Sequence, residues 1–318
     1  MDNKEIYKKT LTFSLRRLLW DVGSLIVIVI FAAAGFFLAD MAGGYGLIGL
    51  FVATFFGIIL VGIISHFISY IFKAGQIAMM TKGITEGKLP DDVYAEGKKV
   101  VKERFLTVAA YYAVTRAITG IFNQLGRAIT AIGEAIGGKN GGTIGSIINS
   151  IIQTIVRYLC DCCLGWVFFQ KDTSAFKATL QGAALFFKKG KTLLKNLGRI
   201  FGISALSFLV IGGVFFGITY LLCLPFPDFF QSIAEKIAST GDQDAAFLSE
   251  ANNVMLTFSG IIGVCMWGIL HSVFVRPYIL IGVLRNFIES GKNEQLTDED
   301  YNNAASKSPK FRKLQEKA

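Results

Sequence analysis

Residues Gly141–Phe169 carry isoleucines at 144, 147, 148, 151, 152 and 155, the i, i+3, i+4, i+7 spacing of one helical face. The opposite face holds Ser146, Ser150, Gln153, Arg157 and Asp161, with Asn149 and Thr154 beside it. After Asp161 the stretch is apolar to its end. Inside a chain that is otherwise hydrophobic, such a helix reads as a membrane span with one side to hide from lipid. The rest of the chain is expected, in part, to surround that side.

Composition supports a membrane protein. Of 318 residues 53% are hydrophobic and only 17% charged, too apolar for a soluble chain whose surface must carry charge. Gly is abundant (34) and Pro scarce (5), which fits helices packed closely in lipid rather than disorder. The glycines at 46, 49 and 57, at 212, 213 and 217, and at 260, 263 and 268 are expected to let helices approach.

Six apolar runs stand near the ~20 residues a bilayer requires: 22–39, 45–72, 105–123, 143–169, 200–222 and 254–275. Residues 1–21, with Lys4, Lys8, Lys9, Arg16 and Arg17 opposite a Tyr7, Leu11, Leu15, Leu18 and Leu19 face, read as an interfacial helix. A cleaved signal peptide is the competing reading. The first run exceeds a usual signal core and five more follow, so it is expected to stay. The second run is long enough to tilt, or to leave the membrane as a continuous rod until Gly87-Lys88-Leu89-Pro90 stops it.

Charge sets the orientation. Residues 1–21, 73–104, 171–199 and 276–318 hold 5, 7, 7 and 8 Lys and Arg, 27 of the chain's 32. The loops between them hold Arg127, Lys139 and Lys236. This alternation places both termini in the cytoplasm of a plasma-membrane protein. The expected fold is therefore an all-α polytopic membrane domain over residues 1–292. It has six transmembrane helices in three hairpins, with amphipathic interfacial helices on the cytoplasmic side and a loose polar tail at 293–318. A weak internal repeat adds to this: 76–88 runs parallel to 280–292, each followed by an acidic stretch ending in Tyr94 or Tyr301. His66 and His271 fall at nearly matching positions.

No catalytic constellation is present, so no enzyme is expected. The two histidines lie in spans, where a neutral imidazole bonded between helices is the favoured role over a proton site. Cys160, Cys162, Cys163, Cys223 and Cys265 sit in or beside apolar runs and read as small buried hydrophobes. Helical neighbours at 160, 162 and 163 point apart, so neither a metal nor another cofactor is expected. The net charge of +9 flanks apolar runs instead of forming a stripe, which points to anionic lipid headgroups and not to nucleic acid.

The sharper signal is charge inside spans. Arg116 and Arg157 fall near mid-span, where an arginine costs roughly 2.5–3.5 kcal/mol. Asp161, one turn from Arg157, is expected to pair with it. With Tyr112, Thr119 and Gln153 they form the candidate substrate-binding set, in a polar cavity between spans 3 and 4. The function expected is a carrier for a small anionic or zwitterionic solute or lipid headgroup. The alternative is a non-transporting scaffold or accessory subunit that docks a protein partner, a second copy or anionic lipid.

Overall fold

The computed structural model describes residues 1–106, 108–137, 141–194, 196–239 and 247–316. Within its helices the side chains of 47, 66, 67, 69, 70, 108, 125–137, 141–150, 152, 190–194 and 197 lie outside that description. His66, Ile144, Ile147, Ile148, Ile152 and the turn residues 138–140 therefore fall outside the described residues. Every regular element among the described residues is helical. In order they are α1 (Asn3–Met41), α2 (Gly46–Thr85), α3 (Val93–Arg104), α4 (Val108–Gly137), α5 (Gly141–Phe169), α6 (Ala175–Leu194) and α7 (Leu197–Ser207). There follow α8 (Gly213–Cys223), α9 (Pro227–Ala238), α10 (Ala251–Leu270), α11 (Arg276–Gly291), α12 (Asp298–Lys307) and α13 (Pro309–Gln315).

Among the described residues four helices are long and apolar enough to cross a membrane: Asn3–Met41, Ile48–Ser65, Gly198–Cys223 and Ala251–Gly291. The pair Val93–Arg104 and Ala109–Gln124, bent by 82°, makes five if it is one span. Between 0% and 17% of the apolar windows of the four is buried, so they hold a face for lipid and not a water-excluding core. Among the described residues, then, four or five of the six expected spans are matched. The side chains of 141–150 in α5 lie outside that description, and from residue 158 to 168 everything but Cys160 is buried inside the protein.

The chain forms two compact units, residues 1–197 with 280–318, and residues 198–279. In the first, α1 and α2 make a long antiparallel hairpin turned at Gly43-Gly44. Gly44 takes φ +77°, a left-handed conformation that favours glycine. Inside the hairpin a Cβ on Gly35 would collide with the Gly49 carbonyl and with Ala53, so the two helices meet backbone to backbone. Toward the other end the contacts change from glycine to core. Trp20 Nε1 donates to Ser65 Oγ at 2.9 Å, and Gln76 Nε2 donates to Ser14 Oγ at 3.0 Å. Phe13 then fills the gap between Gly75 of α2 and Gly97 of α3.

Around these ends lies a core of fully buried side chains, among them Ile6, Met79, Leu164, Leu185, Phe287 and Phe311. α2 does leave the apolar zone as one rod, 40 residues long, and Gly87 at φ +70° closes it. α5 packs against α2, α4 and α6.

The tail expected to be loose is instead folded. Thr297 and Asp300 form a capping box at the start of α12, and Lys188 of α6 holds Asp300 at 2.8 Å. Ser308 Oγ caps α13 and donates to Gln124 Oε1 of α4 at 2.6 Å, while Phe311 is sealed beside Phe187 and Tyr301. A polar composition had concealed a short apolar face of Ala304, Ala305 and Phe311.

In the second unit α7 and α8 join through a π-helical turn, Phe208–Gly212, and pack against α10. Because the turn is one residue wider, Ser207 and Gly212 are both buried although five positions apart. Gly212 meets Gly263, Phe208 stacks edge-on against Trp267 with ring centroids 5.1 Å apart, and Trp267 Nε1 donates to Ser207 Oγ at 3.1 Å. α9 folds back so that Phe230 and Ala234 pack with Cys223, Val254 and Met255. Gly213, Gly217, Gly260 and Gly268 face open space, so the close approach expected of all six glycines in this hairpin rests on Gly212 and Gly263.

These environments predict different fates for two glycines. A Cβ on Gly165 would run into Leu284 and stand 3.2 Å from Thr81 Oγ1, so Gly165→Val should cost about 1–3 kcal/mol. Gly213→Ala, with nothing near it, should be neutral or stabilise by up to about 1 kcal/mol. Thermal unfolding in detergent measures both.

Candidate functional site

The six residues singled out from the sequence differ in their surroundings. Asp161 is buried, with its side chain 3% exposed, but its ion-pair partner is Lys73 of α2, Nζ to Oδ1 2.7 Å. Arg157 and Arg116 are both exposed, and among the described residues neither has an ion-pair partner. Thr119 is exposed as well. Gln153 is half-buried, and so is Tyr112, whose ring packs on Tyr111 with centroids 5.1 Å apart.

Helical spacing put Arg157 within reach of Asp161, but Arg157 lies on the outer side of α5. A lysine stem from the exit of α2 reaches the carboxylate instead. Cys163, from the cysteine cluster, is buried and donates its thiol to the Thr179 carbonyl at 3.6 Å. His271 lies 3.0 Å from Ser204 Oγ across the second hairpin, a hydrogen bond between helices.

A cavity of about 620 Å³ opens elsewhere in the first unit. Three elements wall it. The end of α2 supplies Ala78, Met79, Thr81, Lys82, Thr85 and Glu86, and α3 supplies Glu96, Val100, Glu103 and Arg104. Phe168, Phe169, Lys171 and Asp172 come from the end of α5 and the loop after it. The glycine stop at Gly87 and the Asp92 cap of α3 turn the chain back, so Lys82 and Glu96 face each other at 2.7 Å. That hydrogen bond holds the Lys82 ammonium above its ordinary pKa and the Glu96 carboxyl below its own.

Opposite, Lys171 bridges to Glu86 at 2.8 Å. Arg104 spends both terminal nitrogens on backbone carbonyls, Thr173 at 2.6 Å and Gln170 at 2.9 Å, and thereby ties α3 to the loop after α5. Burial draws its pKa down. None of the six residues expected from the sequence lines this cavity. The signal that pointed to it was the strong stop after Glu86, which forces the next charged helix to lie against the end of the last.

Searches against family models, curated proteins and solved structures gave no match to the chain. Its reading therefore rests on its own geometry.

Two predictions follow from these charges. Lys73→Met would leave the Asp161 carboxylate buried without its cation. As Lys73 is itself 45% exposed, the cost should be about 2 kcal/mol, below the ~3–5 of a fully buried pair. Adding Asp161→Leu should restore most of it in a double-mutant cycle of denaturation in detergent.

The Lys82–Glu96 bridge sets a pH window. Glu96, depressed, contributes above the ordinary glutamate value of about 4.3 and loses its contribution as pH falls through its lowered value. Lys82, raised, contributes below about 10.4 and loses its contribution as pH rises through its raised value. Replacing the pair by Met and Gln should flatten the stability profile by about 0.5–1 kcal/mol between those limits.

Proposed function

We propose that the protein is a non-enzymatic, six-span membrane subunit whose cytoplasmic helical head docks a ligand or partner, and that it is not a carrier. One observation carries this reading: the basic segments 1–21, 73–104, 171–197 and 280–318 all belong to the first compact unit. Those four segments are joined directly, Arg104 to Thr173, Lys171 to Glu86, Arg285 to Asn3 and Lys188 to Asp300, so they share one side of a bilayer and each excursion between them crosses an even number of times. The excursions through α1–α2 and through residues 198–279 supply four crossings. The middle one, α4–α5, is read as the remaining two, since a total of five would break the parity. The charge bias places this head, with both termini, on the cytoplasmic side of the plasma membrane.

Docking is favoured over permeation by where the polar groups are. The lining of the cavity begins at Ala78, beyond the apolar window Ile48–Ser65, and Arg116 and Arg157 are both exposed rather than lining it. A carrier would need that pair to face a shared path.

Topology is tested by accessibility labelling of Lys88→Cys, Lys307→Cys, Lys139→Cys and Asp242→Cys, each alone with the native cysteines replaced. Reagent added outside the cell should reach 139 and 242 only. Labelling of 88 from outside would overturn the arrangement. For function, proteoliposomes of the purified protein should show no solute flux above empty vesicles, whereas affinity capture through the head should retain a stoichiometric partner or ligand. Flux abolished by Arg157→Ala would instead restore the carrier reading.

A further inference from the structure

The cavity of the first unit carries more than its position. Its volume, about 620 Å³, lies in the range that holds a small organic molecule. Its apolar walls are Ala78, Met79, Val100, Phe168 and Phe169. What decides the guest is which of the polar groups remain free.

Lys82 is paired with Glu96 at 2.7 Å and Lys171 with Glu86 at 2.8 Å. Thr81 and Thr85 donate to the carbonyls of Gly165 and Thr81. Arg104 is committed to two carbonyls, and its Nε has no accessible surface, which puts it out of a guest's reach. Two acids are left. Asp172 has no ion pair among the described residues, and Glu103 has only Lys99 at 3.9 Å, both of these side chains being more than 60% exposed. The lining thus sums to −1, three cations against four anions, in a chain whose net charge is +9.

We propose that this cavity binds an amphipathic organic cation, an amine carried on an apolar or aromatic body. This rests on the docking reading above and names the class of what docks. The body lies against Met79, Val100 and the two phenylalanines. The ammonium stands at the open side, donating to Glu103 and Asp172, and gains from the negative faces of the rings. An anion of the same size meets a lining of net charge −1, where the carboxylates of Glu103 and Asp172 at the open side cost it affinity as like charges.

The test uses full-length protein in nanodiscs at pH 7 and three readings of one titration. 2-Phenylethylamine, protonated at this pH, should raise Tm in a dose-dependent way and give a saturable calorimetric isotherm; phenylacetate, of similar shape and opposite charge, should do neither. The Glu103→Gln/Asp172→Asn variant should weaken the amine by about tenfold or more. Glu103→Asp/Asp172→Glu, which keeps both charges, should stay within about threefold and controls for misfolding.

The proposal is overturned if phenylacetate binds as well as the amine, if the neutralised variant binds the amine like wild type, or if neither probe binds. The first outcome, with binding lost in cavity variants, leaves the docking head standing and removes only the cation. Absence of binding together with solute flux through proteoliposomes removes both.

Discussion

A methyl group on Gly165 would strike Leu284 of α11 and crowd the Thr81 hydroxyl of α2, so two helices reach α5 at one point only because it bears hydrogen there. Thr81 Oγ1 lies 3.5 Å from the Gly165 carbonyl, on the backbone itself. Around this crossing stand the largest sealed residues of the first unit, Met80, Leu164 and Phe287 among them. Close packing of this kind is felt at the level of single methylene groups, and the rest of the unit is arranged about it. The partners of Gly165 also fall in the two segments that run parallel in sequence, 76–88 and 280–292. Met80 in the first segment corresponds to Leu284 in the second.

The parallel extends past the crossing. After α2 the chain turns at Gly87 and restarts under an Asp92 cap; after α5 it restarts under Ser174, whose Oγ accepts from Lys177 N; after α11 it restarts under Thr297. After α2 and α5 the capped helix packs back on the one before it, and after α11 the capped α12 packs on α6. Where α5 and α6 meet the end of α11, the space is filled, since Gly291 has Leu185 and Trp166 against it. Where α2 and α3 meet the end of α5, a cavity remains, lined by the shorter Val100 and by charged side chains. The same architecture is closed in one place and left open in another.

Much of the fold was legible because its signals are local. The apolar runs, the stop at Gly87 and the basic exits of the helices depend on residues a few positions apart, and helix and bilayer physics act at that range. What was not legible depends on pairs distant in sequence. Lys73 and Asp161 are separated by two helices, and no periodicity announces that the lysine will displace Arg157 as the partner. Counting inward from assumed span ends placed Arg157 deep in lipid. From residue 158 to 168 most of α5 is wrapped by protein, whereas Arg157 just before it is exposed. The tail misled for the opposite reason: a few apolar residues in a charged segment are enough to dock it when α4 and α6 offer matching surface.

Helix length explains why such a head is needed at all. α1 and α2 have 39 and 40 residues, about 60 Å of rod at 1.5 Å per residue, while the hydrocarbon core takes only ~30 Å. An unsupported half-rod of that length would be marginal in water, because an isolated helix gains little beyond its own hydrogen bonds. Here α1 and α2 carry apolar residues well past the bilayer, Ile6 and Phe13 on one and Ile77, Met79 and Met80 on the other, all buried. Burying them requires partners, which α3, the end of α5, α6 and the terminal helices provide. Their arrangement leaves a gap beside Lys82, lined by the Lys82–Glu96 and Lys171–Glu86 pairs together with Glu103, Arg104 and Asp172. The elements that cover the overlong helices therefore also leave a cavity at their exit, walled by the end of α2, by α3 and by the end of α5.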